Sequence, residues 1–354
     1  MVDRPDAGNR ALSVDESHAE GFTEDELVAV VRKLLAGEAP GVRLGIGDDA
    51  ALIDLGDRLG ILTTDLLVED VHFRLRTISP RELGYKAIAV NVSDVAAMGG
   101  SPRYGLVSLA LPRDVEIAWV VELYGGVRDA ANEYAMPVVG GDTSLSDRIV
   151  LSVTVTGEVA KGGAVTRAGA RPGDRLVVTG VLGASAGGLQ LAEADPETVR
   201  SALGSEWARE LLAAHVRPQA RVGEGQTLAQ AGATAMMDLS DGLAIDLARL
   251  CRESAVGAAV DLARVPVAPA LGPLAKVLPI VPLELALSGG EDYELLAALP
   301  GHAVGPATSK LKERFATPLT EVGEIRREEE GLVAVMADGS ERPLEPAGWD
   351  HFAR

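Results

Sequence analysis

Six short segments of the sequence combine acidic side chains with glycine, serine, threonine or asparagine, a composition suited to binding metal ions and phosphate. In chain order they are Gly47-Asp48-Asp49, Thr63-Thr64-Asp65, Asn91-Val92-Ser93-Asp94, Gly140-Gly141-Asp142, Asp238-Leu239-Ser240-Asp241 and Gly289-Gly290-Glu291-Asp292. Carboxylate oxygens with neighbouring hydroxyls are the ligands that hard cations such as Mg²⁺ prefer, and glycine lets a phosphate approach the backbone closely. Any one segment alone indicates no more than a turn. If the six converge, their charges would repel one another without cations, so the set predicts several bound metal ions.

Other well-known sites for nucleotides and metals are absent from the sequence. There is no Gly-x-x-x-x-Gly-Lys-Ser/Thr loop, no Gly-x-Gly-x-x-Gly between a strand and a helix in the first half, and no protein-kinase motif. The five histidines lack the His-Glu-x-x-His spacing, which disfavours a zinc hydrolase. His72 follows the second acidic segment and could contact a substrate phosphate; a solvated or buried structural histidine is the alternative.

Composition narrows the class of protein. The chain has 354 residues, 47% of them apolar, which predicts a globular protein with two domains. Its net charge of −19 argues against a nucleic-acid partner, because affinity for phosphate backbones comes mainly from clustered Lys and Arg. Cys251 is the only cysteine, which excludes an intramolecular disulfide and a cysteine zinc cluster. No apolar run approaches the roughly 20 residues of a membrane helix, and no signal peptide is evident, so we expect a cytoplasmic protein without a membrane partner.

The apolar spacing predicts alternating strands and helices that would position the acidic segments. Residues 1–20 are polar and unpatterned, which predicts a disordered leader. Thr23 and Glu26 have capping-box spacing, which predicts a helix that ends at Gly37. The other elements predicted in the first half are strands at 44–53, 59–65, 104–111, 136–139 and 149–159 and helices at 80–98 and 115–134.

The second half repeats this α/β pattern. The predicted elements are a strand at 175–179, a helical region through 213, a short strand before 238 followed by a helix with 245–250, a strand-like run at 285–287 and a strand at 295–299. Residues 166–174 are rich in Gly, Arg and Pro and form the expected crossing between domains. We therefore predict an N-terminal domain at 21–165 and a C-terminal domain at 170–354.

The acidic segments and their surroundings resemble the thiamine-monophosphate kinase family, whose superfamily includes aminoimidazole ribonucleotide synthetase, selenophosphate synthetase and the hydrogenase-maturation dehydratase. The match runs from about Phe22 to Phe352. Its most specific elements are Gly45-Ile-Gly-Asp-Asp-Ala50, Thr63-Thr-Asp65, Val71-His-Phe73, the run from Tyr85 to Gly99, Val139-Gly-Gly-Asp-Thr143, Asp238-Leu-Ser-Asp-Gly242, Leu287-Ser-Gly-Gly-Glu-Asp-Tyr-Glu294 and Gly348-Trp-Asp-His-Phe352.

This resemblance implies a two-domain, aminoimidazole ribonucleotide synthetase-like α/β fold with mixed sheets. The N-terminal domain would bind ATP and Mg²⁺ and form a homodimer through its sheet, and the C-terminal domain would be a second α/β unit. The implied reaction transfers the γ-phosphoryl group of ATP to thiamine monophosphate, giving thiamine diphosphate, the last step of thiamine diphosphate biosynthesis.

The resemblance also implies roles for individual residues. The implied ligands of several Mg²⁺ ions are Asp49, Thr63, Thr64, Asp65, Asp94, Asp142, Asp238 and Asp241. The implied ATP contacts are Tyr124, Gly141, Asp142, Arg167 and Ser240, and the implied thiamine monophosphate contacts are His72, Glu291 and Trp349. The acceptor phosphate is already ionised at neutral pH, so no side chain is assigned as a catalytic acid or base.

Two other functions stay open at this point. A relative that uses ATP to activate an amide or carbonyl oxygen would share the metal ligands, although the tail at 348–352 favours the kinase. A selenophosphate synthetase would need a reactive Cys or selenocysteine near its N-terminus, and the sequence has none there. A non-catalytic ATP-binding or scaffold protein is the third reading, and the retained metal ligands argue against it.

Overall fold

The computed structural model describes residues 23–35 and 39–352. The leader predicted at 1–20 lies outside these residues. The strands are β1 (Val42–Leu44), β2 (Ala51–Asp54), β3 (Arg58–Val68), β4 (Ser101–Leu111), β5 (Val138–Leu145), β6 (Val150–Ala160), β7 (Arg175–Thr179), β8 (Ala235–Asp238), β9 (Val256–Asp261), β10 (Leu295–Leu299), β11 (Leu319–Arg327), β12 (Leu332–Val335) and β13 (Glu341–Pro343). The helices are α1 (Glu24–Leu34), α2 (Pro80–Ala97), α3 (Ile117–Glu133), α4 (Ala184–Ala192), α5 (Pro196–Ala202), α6 (Glu206–Val216), α7 (Val222–Gln230), α8 (Leu243–Ser254), α9 (Leu271–Leu274), α10 (Pro282–Ser288) and α11 (Gly301–Phe315). No helix in the described part of the chain is long and apolar enough to cross a membrane.

The first sheet has the strand order β1-β2-β3-β6-β4-β5 within the described residues. Neighbouring strands are antiparallel except β4 and β5, which are parallel. One face packs against α2, which is buried along most of its length. The other face, which we call the open face, exposes Leu62, Leu66, Tyr104 and Leu106. The register places these four side chains on the same side, because strand residues directly opposite one another share a face.

Helix α2 lies at the centre of the first half and carries several of the acidic segments' residues. Ser79 and Glu82 form a capping box at its start, which satisfies N–H groups that the helix cannot. Gly84 of α2 and Gly126 of α3 allow the two helices to touch backbone to backbone. A Cβ atom on Gly84 or Gly126 would lie 2.0 Å or 1.7 Å from a backbone oxygen of the other helix. The glycines thus fix how closely α3 covers α2.

The second sheet has the order β13-β12-β9-β11-β7-β10-β8 within the described residues, with β12 and β9 parallel and the other neighbours antiparallel. Alternate residues of its central strands face two helical layers. Leu176 and Val178 of β7 pack in a core with α8, whereas Val177 packs in a core with α11. Burial on both faces explains why this strand reads as a continuous apolar run. The predicted α/β class with mixed sheets is confirmed.

Some of the predicted elements differ from the structure. Residues 44–53 were expected to form one strand, but the segment Gly45–Ala50 is a loop, and β1 and β2 pair antiparallel on either side of it. The strand expected to end at Val139 continues through the glycines to Leu145 as β5. The strand-like run at 285–287 belongs to α10, because Pro282 starts a helix there.

The described residues 23–35 and 350–352 belong to a unit separate from 39–349. Within it, the predicted capping box of α1 is confirmed: Glu26 N–H donates to Thr23 Oγ1 (3.3 Å), and Thr23 N–H donates to Glu26 Oε2 (2.8 Å). The helix ends at Leu34 rather than at the expected Gly37. Glu24 N–H also donates to Asp350 Oδ1 (3.3 Å), so the carboxylate of Asp350 lies at the helix start, where negative charge is favourable.

Candidate active site

Three aspartates from distant parts of the chain form a compact group. Asp49 lies in the loop between β1 and β2, Asp94 near the end of α2, and Asp238 at the end of β8. One carboxylate oxygen of each residue lies within 4.8 Å of those of the other two. We call these three residues the aspartate cluster. Their convergence brings together segments from both sheets.

Burial and mutual repulsion make the aspartate cluster costly to keep ionised without a cation. Burial raises the pKa of Asp94 well above its ordinary value, and neighbouring aspartates raise it further. Burial and then the charge of Asp49 do the same to the pKa of Asp238. Two hydroxyls oppose these effects: Thr63 donates to Asp94 Oδ2, and Ser93 donates to Asp238 Oδ2.

Asp65 and Asp241 add two carboxylates beside the aspartate cluster. Burial raises the pKa of Asp65 to about 6, and the charges of Asp241 and Asp49 contribute to this rise. The N–H of Asp65 donates to Asn91 Oδ1 (2.9 Å), which fastens β3 to α2. Five of the acidic residues predicted as metal ligands therefore act on one another electrostatically.

The aspartate cluster fits a hard divalent cation. Asp49 Oδ2 is buried and has no hydrogen-bond partner among the described residues, a costly situation for a carboxylate oxygen. The other oxygen, Oδ1, accepts a hydrogen bond from Arg167 Nε (3.1 Å). An oxygen-only set of carboxylates and hydroxyls is the donor set that Mg²⁺ prefers. A bound cation would give Asp49 Oδ2 a partner and offset the repulsion within the cluster.

Two of the predicted metal ligands, Thr64 and Asp142, lie on the open face of the first sheet. Thr64 Oγ1 donates to a backbone oxygen of β6 (3.0 Å) and is directed away from the face that holds Thr63. Asp142 is in register with Ser108 and, across the sheet, with the exposed Leu66 of β3. Three strand spacings, about 14 Å, separate β5 from β3. In a single chain, Thr64 and Asp142 therefore lie outside the aspartate cluster.

Tyr124, Gly141 and Asp142, which are predicted ATP contacts, line one cavity of about 640 Å³ beside α3 and β5. Gly141 is required here because a Cβ atom would lie 1.8 Å from the carbonyl oxygen of Val107 on β4. Arg128, one helical turn after Tyr124, lines the same cavity and contributes positive charge. The volume is within the range of roughly 300–1,000 Å³ typical of small-molecule pockets.

The other two predicted ATP contacts, Arg167 and Ser240, lie beside the aspartate cluster. Arg167 pairs with Asp49 through two side-chain nitrogens, and its backbone N–H donates to Asp48 Oδ2 (3.0 Å). Burial lowers the pKa of Arg167, but Asp49 and Asp48 outweigh burial and raise it, so the guanidinium group stays charged. The carbonyl oxygen of Ser240 accepts a hydrogen bond from the N–H of Glu291 (2.7 Å).

Two basic side chains, those of Lys86 and His215, contact the carboxylate of Glu291. Lys86 Nζ lies 2.7 Å from Oε1, and His215 Nδ1 lies 3.3 Å from Oε2. Burial would raise the pKa of Glu291, but Lys86 and His215 outweigh burial and lower it to about 2. The side chain keeps 29% of its surface exposed.

His72 and Trp349 present the groups that their predicted roles need. His72 Nδ1 accepts a hydrogen bond from the N–H of Val68 (3.0 Å), so the ring is neutral with its proton on Nε2. Trp349 is 51% exposed, and its backbone N–H donates to the carbonyl oxygen of Asp241 (3.1 Å), which ties it to the β8–α8 loop.

Sequence reasoning missed four ionisable residues: Lys86, His215, Asp246 and Arg249. Asp246 Oδ2 accepts a hydrogen bond from the N–H of Asp241 (3.0 Å), and Arg249 pairs with both of these aspartates. Lys86 and His215 hold the predicted acceptor contact described above. For Lys86 the available signal was a lysine within the apolar run 83–90 of a predicted helix, because lysine is rarely buried unless it is paired.

Two family models match the chain. The N-terminal domain of AIR synthase related protein matches residues 47–159, and the C-terminal domain of AIR synthase related protein matches residues 171–335. Together these matches cover most of both sheets and leave out β1 and β13.

Curated and solved proteins are similar over most of the chain. Thiamine-monophosphate kinase of Bacillus subtilis strain 168 is 38% identical over 319 residues, which cover 88% of this chain and 94% of that protein. Thiamine-monophosphate kinase of Escherichia coli K12 is 40% identical over 313 residues, with coverages of 88% and 93%. The solved structure of AaThiL complexed with AMPPCP and TMP has a TM-score of 0.80 and 37% identity, covering 93% of this chain and 97% of that one. The structure of thiamine monophosphate kinase from Aquifex aeolicus has a TM-score of 0.71 and 34% identity, covering 91% and 100%. This chain belongs to the thiamine-monophosphate kinase family.

Proposed function

We propose that this chain transfers the γ-phosphoryl group of ATP to the phosphate of thiamine monophosphate, giving ADP and thiamine diphosphate, the last step of thiamine diphosphate biosynthesis. The observation that carries the proposal is the aspartate cluster with Arg167 beside it, a site suited to cations and polyphosphate. The family and the AaThiL complex, which holds the ATP analogue AMPPCP together with TMP, support the choice of both substrates.

We assign Mg²⁺ to at least two positions. Asp49, Asp94 and Asp238 would hold one ion, with Asp65 and Asp241 close enough to join them or to hold a further ion. Asp142 would serve a separate ion, because Mg–O bonds of about 2.1 Å cannot link groups about 14 Å apart. Thr63 and Thr64 would complete the ligands on their respective faces of the sheet. When bound, Mg²⁺ would neutralise phosphate charge and align the reacting oxygens.

The chain's own residues would orient ATP and thiamine monophosphate so that the acceptor phosphate is aligned with the γ-phosphoryl group. Arg167, which lies beside Asp49, would offer a planar guanidinium group to phosphate oxygens. His72 would donate its Nε2–H to the acceptor phosphate. Trp349 offers an aromatic face to the cationic thiazolium or to the pyrimidine, and Glu291 a hydrogen-bond acceptor. Alignment and charge neutralisation account for most of phosphoryl-transfer catalysis, so no general base is needed.

The cavity beside α3 and β5 is the proposed nucleotide pocket. Tyr124 would lie against the nucleotide, the backbone of Gly141 would allow close approach of phosphate, and Asp142 would reach the triphosphate through its cation. Ser240 would contact ATP from the second half of the chain.

We also propose that the chain acts as a homodimer through the open face of the first sheet. This face exposes Leu62, Leu66, Tyr104 and Leu106 side by side, an unusual amount of apolar surface for a sheet that faces water. Pairing of two such faces would also bring Thr64 and Asp142 near a second chain. A Leu66→Glu variant should become monomeric in light scattering after size exclusion, whereas Leu203→Glu, a change at an exposed leucine on another surface, should not. An unchanged mass for Leu66→Glu would contradict this interface.

A cytoplasmic location and the domain limits 21–165 and 170–354 stay predictions.

The experiment that tests the reaction uses the purified full chain with ATP, Mg²⁺ and thiamine monophosphate. Thiamine diphosphate and ADP are followed beside controls with free thiamine and with no acceptor. Stoichiometric diphosphate from the monophosphate alone is the expected result. ATP consumption without diphosphate would favour the amide-activating relatives, and no consumption would favour a non-catalytic ATP-binding protein.

A further inference from the structure

Lys86 is a buried charge in the middle of α2. Its side chain is 1% exposed, and Nζ lies 2.7 Å from Glu291 Oε1. Nζ makes no well-aligned hydrogen bond to any of the described residues, so its contact with Glu291 is an ion pair. A buried ammonium group is costly unless it is paired, so this arrangement needs a reason beyond packing.

The far side of Glu291 continues the network. His215 Nδ1 lies 3.3 Å from Glu291 Oε2, and Ser185 Oγ lies 3.2 Å from the same nitrogen. Serine, histidine and glutamate together have the composition of a hydrolase triad, but a triad uses both ring nitrogens of the histidine. Here Ser185 and Glu291 share one nitrogen, and Ser185 is buried. The network therefore holds Glu291 rather than activating a nucleophile.

The backbone around Glu291 has a conformation that residues other than glycine rarely adopt. Glu291 has φ 57° and Tyr293 has φ 51°, both in the left-handed region and neither of them glycine. Two hydrogen bonds fix this segment: Glu291 N–H to the carbonyl oxygen of Ser240 (2.7 Å) and Tyr293 N–H to that of Leu239 (2.9 Å). Strain of this kind persists where surrounding contacts fix the geometry, and it is common at ligand sites.

We propose that Lys86 is a positioning residue for acceptor binding, whose ammonium group aims the Glu291 carboxylate at thiamine monophosphate without touching the substrate itself. The inference rests on the proposed function and on the role of Glu291 in it. Lys86 lies eight residues before Asp94 on α2, about 12 Å along the helix axis. One rigid helix thus sets the acceptor contact at a fixed distance from the aspartate cluster. The pKa of Glu291, about 2 because Lys86 and His215 outweigh burial, agrees with a carboxylate that stays ionised.

The test compares four proteins: the wild type, Lys86→Met, Glu291→Gln and the double variant. Lys86→Met should raise the KM for thiamine monophosphate about tenfold and change the KM for ATP less than about twofold, since the ion pair with Glu291 is lost only on the acceptor side. In the Glu291→Gln background, Lys86→Met should add no further loss. Lys161→Met, which removes an exposed lysine paired with Asp54, is the matched control and should leave both KM values unchanged.

Lys86→Met leaves the Glu291 carboxylate without its cation and can fail to fold. The comparison of the double variant with Glu291→Gln then decides, because the amide oxygen in Glu291→Gln can still accept a hydrogen bond from Lys86 and the double variant contains neither charge. A loss from Lys86→Met that persists undiminished in the Glu291→Gln background, or an equal rise in both KM values, would overturn the inference. A wild type that forms no thiamine diphosphate would instead overturn the proposed function.

Discussion

The hydroxyl of Ser93 donates a hydrogen bond to Asp238 Oδ2, and the two residues are 145 positions apart in the chain. This bond joins α2, which packs on the first sheet, to the end of β8 in the second sheet. The next residue of α2, Asp94, accepts a hydrogen bond from Thr63 of β3. One turn of α2 thereby sets two carboxylates from opposite halves of the chain at metal-binding separation. The aspartate cluster depends on how the halves pack, so a cation bound there would strengthen that packing.

Asp94→Asn should make the metal-free protein more stable and the enzyme less active. The metal-free variant should melt at a higher temperature than the wild type, because one buried, repelling carboxylate is removed. Its kcat should fall by at least about 100-fold, since a ligand charge is lost. The wild type should gain several degrees in Tm on addition of Mg²⁺ and the variant much less, as thermal unfolding with EDTA and with Mg²⁺ would show. Asp114→Asn, at an exposed aspartate, is the control, and a full Mg²⁺-induced shift in Asp94→Asn would contradict the assignment.

Asp142→Asn should abolish phosphoryl transfer while leaving the fold intact. Asp142 is exposed on β5, so the neutral amide of the same size should change the Tm of the metal-free protein by no more than about 1 °C. The loss of a ligand charge should lower kcat by at least about 100-fold. Steady-state assays and circular dichroism melts check both effects beside Asp147→Asn, a change at an exposed aspartate after β5. Full activity of Asp142→Asn would remove this residue from the metal ligands.

Gly141→Ala should disturb the nucleotide pocket far more than Gly140→Ala. A Cβ atom at Gly141 would meet the carbonyl oxygen of Val107 at 1.8 Å, whereas one at Gly140 would lie 3.3 Å from Leu106 Cδ2, the flexible end of a side chain. Gly141→Ala should therefore displace β5 from β4 and raise the KM for ATP about tenfold or more, because small misplacements of a binding group are costly. Parallel KM measurements for both variants check this, and similar values for the two would count against the steric argument.

Trp349→Ala should weaken acceptor binding and spare ATP binding. An exposed aromatic face against a cationic or aromatic ring contributes roughly 1 kcal/mol, which corresponds to a rise in the Kd for thiamine monophosphate of about fivefold. Isothermal titration with each substrate separately measures the effect. Phe352→Ala removes another exposed aromatic ring from the tail and serves as the control. Equal weakening of both substrates by Trp349→Ala would argue for a general role of the tail.

The free energy of unfolding should decline as the pH rises, because the pKa of Asp292 is raised in the folded protein. Its carboxylate accepts N–H groups from Gly183 (2.7 Å) and Ser185 (3.3 Å) at the start of α4. Burial raises the pKa of Asp292 to about 7 against the opposition of these N–H groups, and the charges of Glu294 and Glu291 also raise it. Because the folded pKa exceeds the unfolded value of about 3.9, the folded state holds the proton more tightly. The stability contribution is complete below pH about 4 and is lost as the pH rises towards about 7.

A comparison with Asp292→Asn isolates this group. The free energy of unfolding of the wild type minus that of the variant should fall with rising pH by up to about 1.4 kcal/mol per unit in this window. Urea titrations near pH about 5.5, 6.5 and 7.5 measure the difference. A difference that stays constant over these conditions would show that Asp292 does not titrate as inferred.

Local signals in the sequence predicted much of the fold. Capping residues gave the starts of α1 and α2, and the buried strand β7 was predicted with its correct bounds because it is rich in β-branched residues and lies between Gly-rich turns. The break between β1 and β2 was missed because apolar residues flank the loop on both sides. The helix α10 was missed since a short apolar run does not distinguish helix from strand, and the signal of Pro282 was overlooked.

The sequence indicated which segments form the candidate site, but it did not predict how their side chains are arranged. The acidic spacing identified Asp49, Asp94 and Asp238, which the fold brings together. Which hydroxyl faces them depends on the pairing of β3 with β6, a contact between strands about 90 residues apart. The pairing of Lys86 with Glu291 depends in the same way on contacts between the two halves. The roles of the individual site residues stay predictions until the variants above are measured.

Thr63 and Thr64 are chemically identical neighbours, yet their hydroxyls lie on opposite sides of β3. This arrangement restricts which insertions and deletions the protein can tolerate in β3. Inserting or deleting a single residue in β3 before this pair would exchange the two faces and turn Asp65 away from the aspartate cluster. Substitutions along β3 can accumulate one at a time, and surface loops can lengthen freely, but the length of this strand must be conserved between the start of the hairpin with β2 and Asp65. We expect homologous chains with insertions in their loops to keep the spacing from the first residue of β3 to this aspartate unchanged.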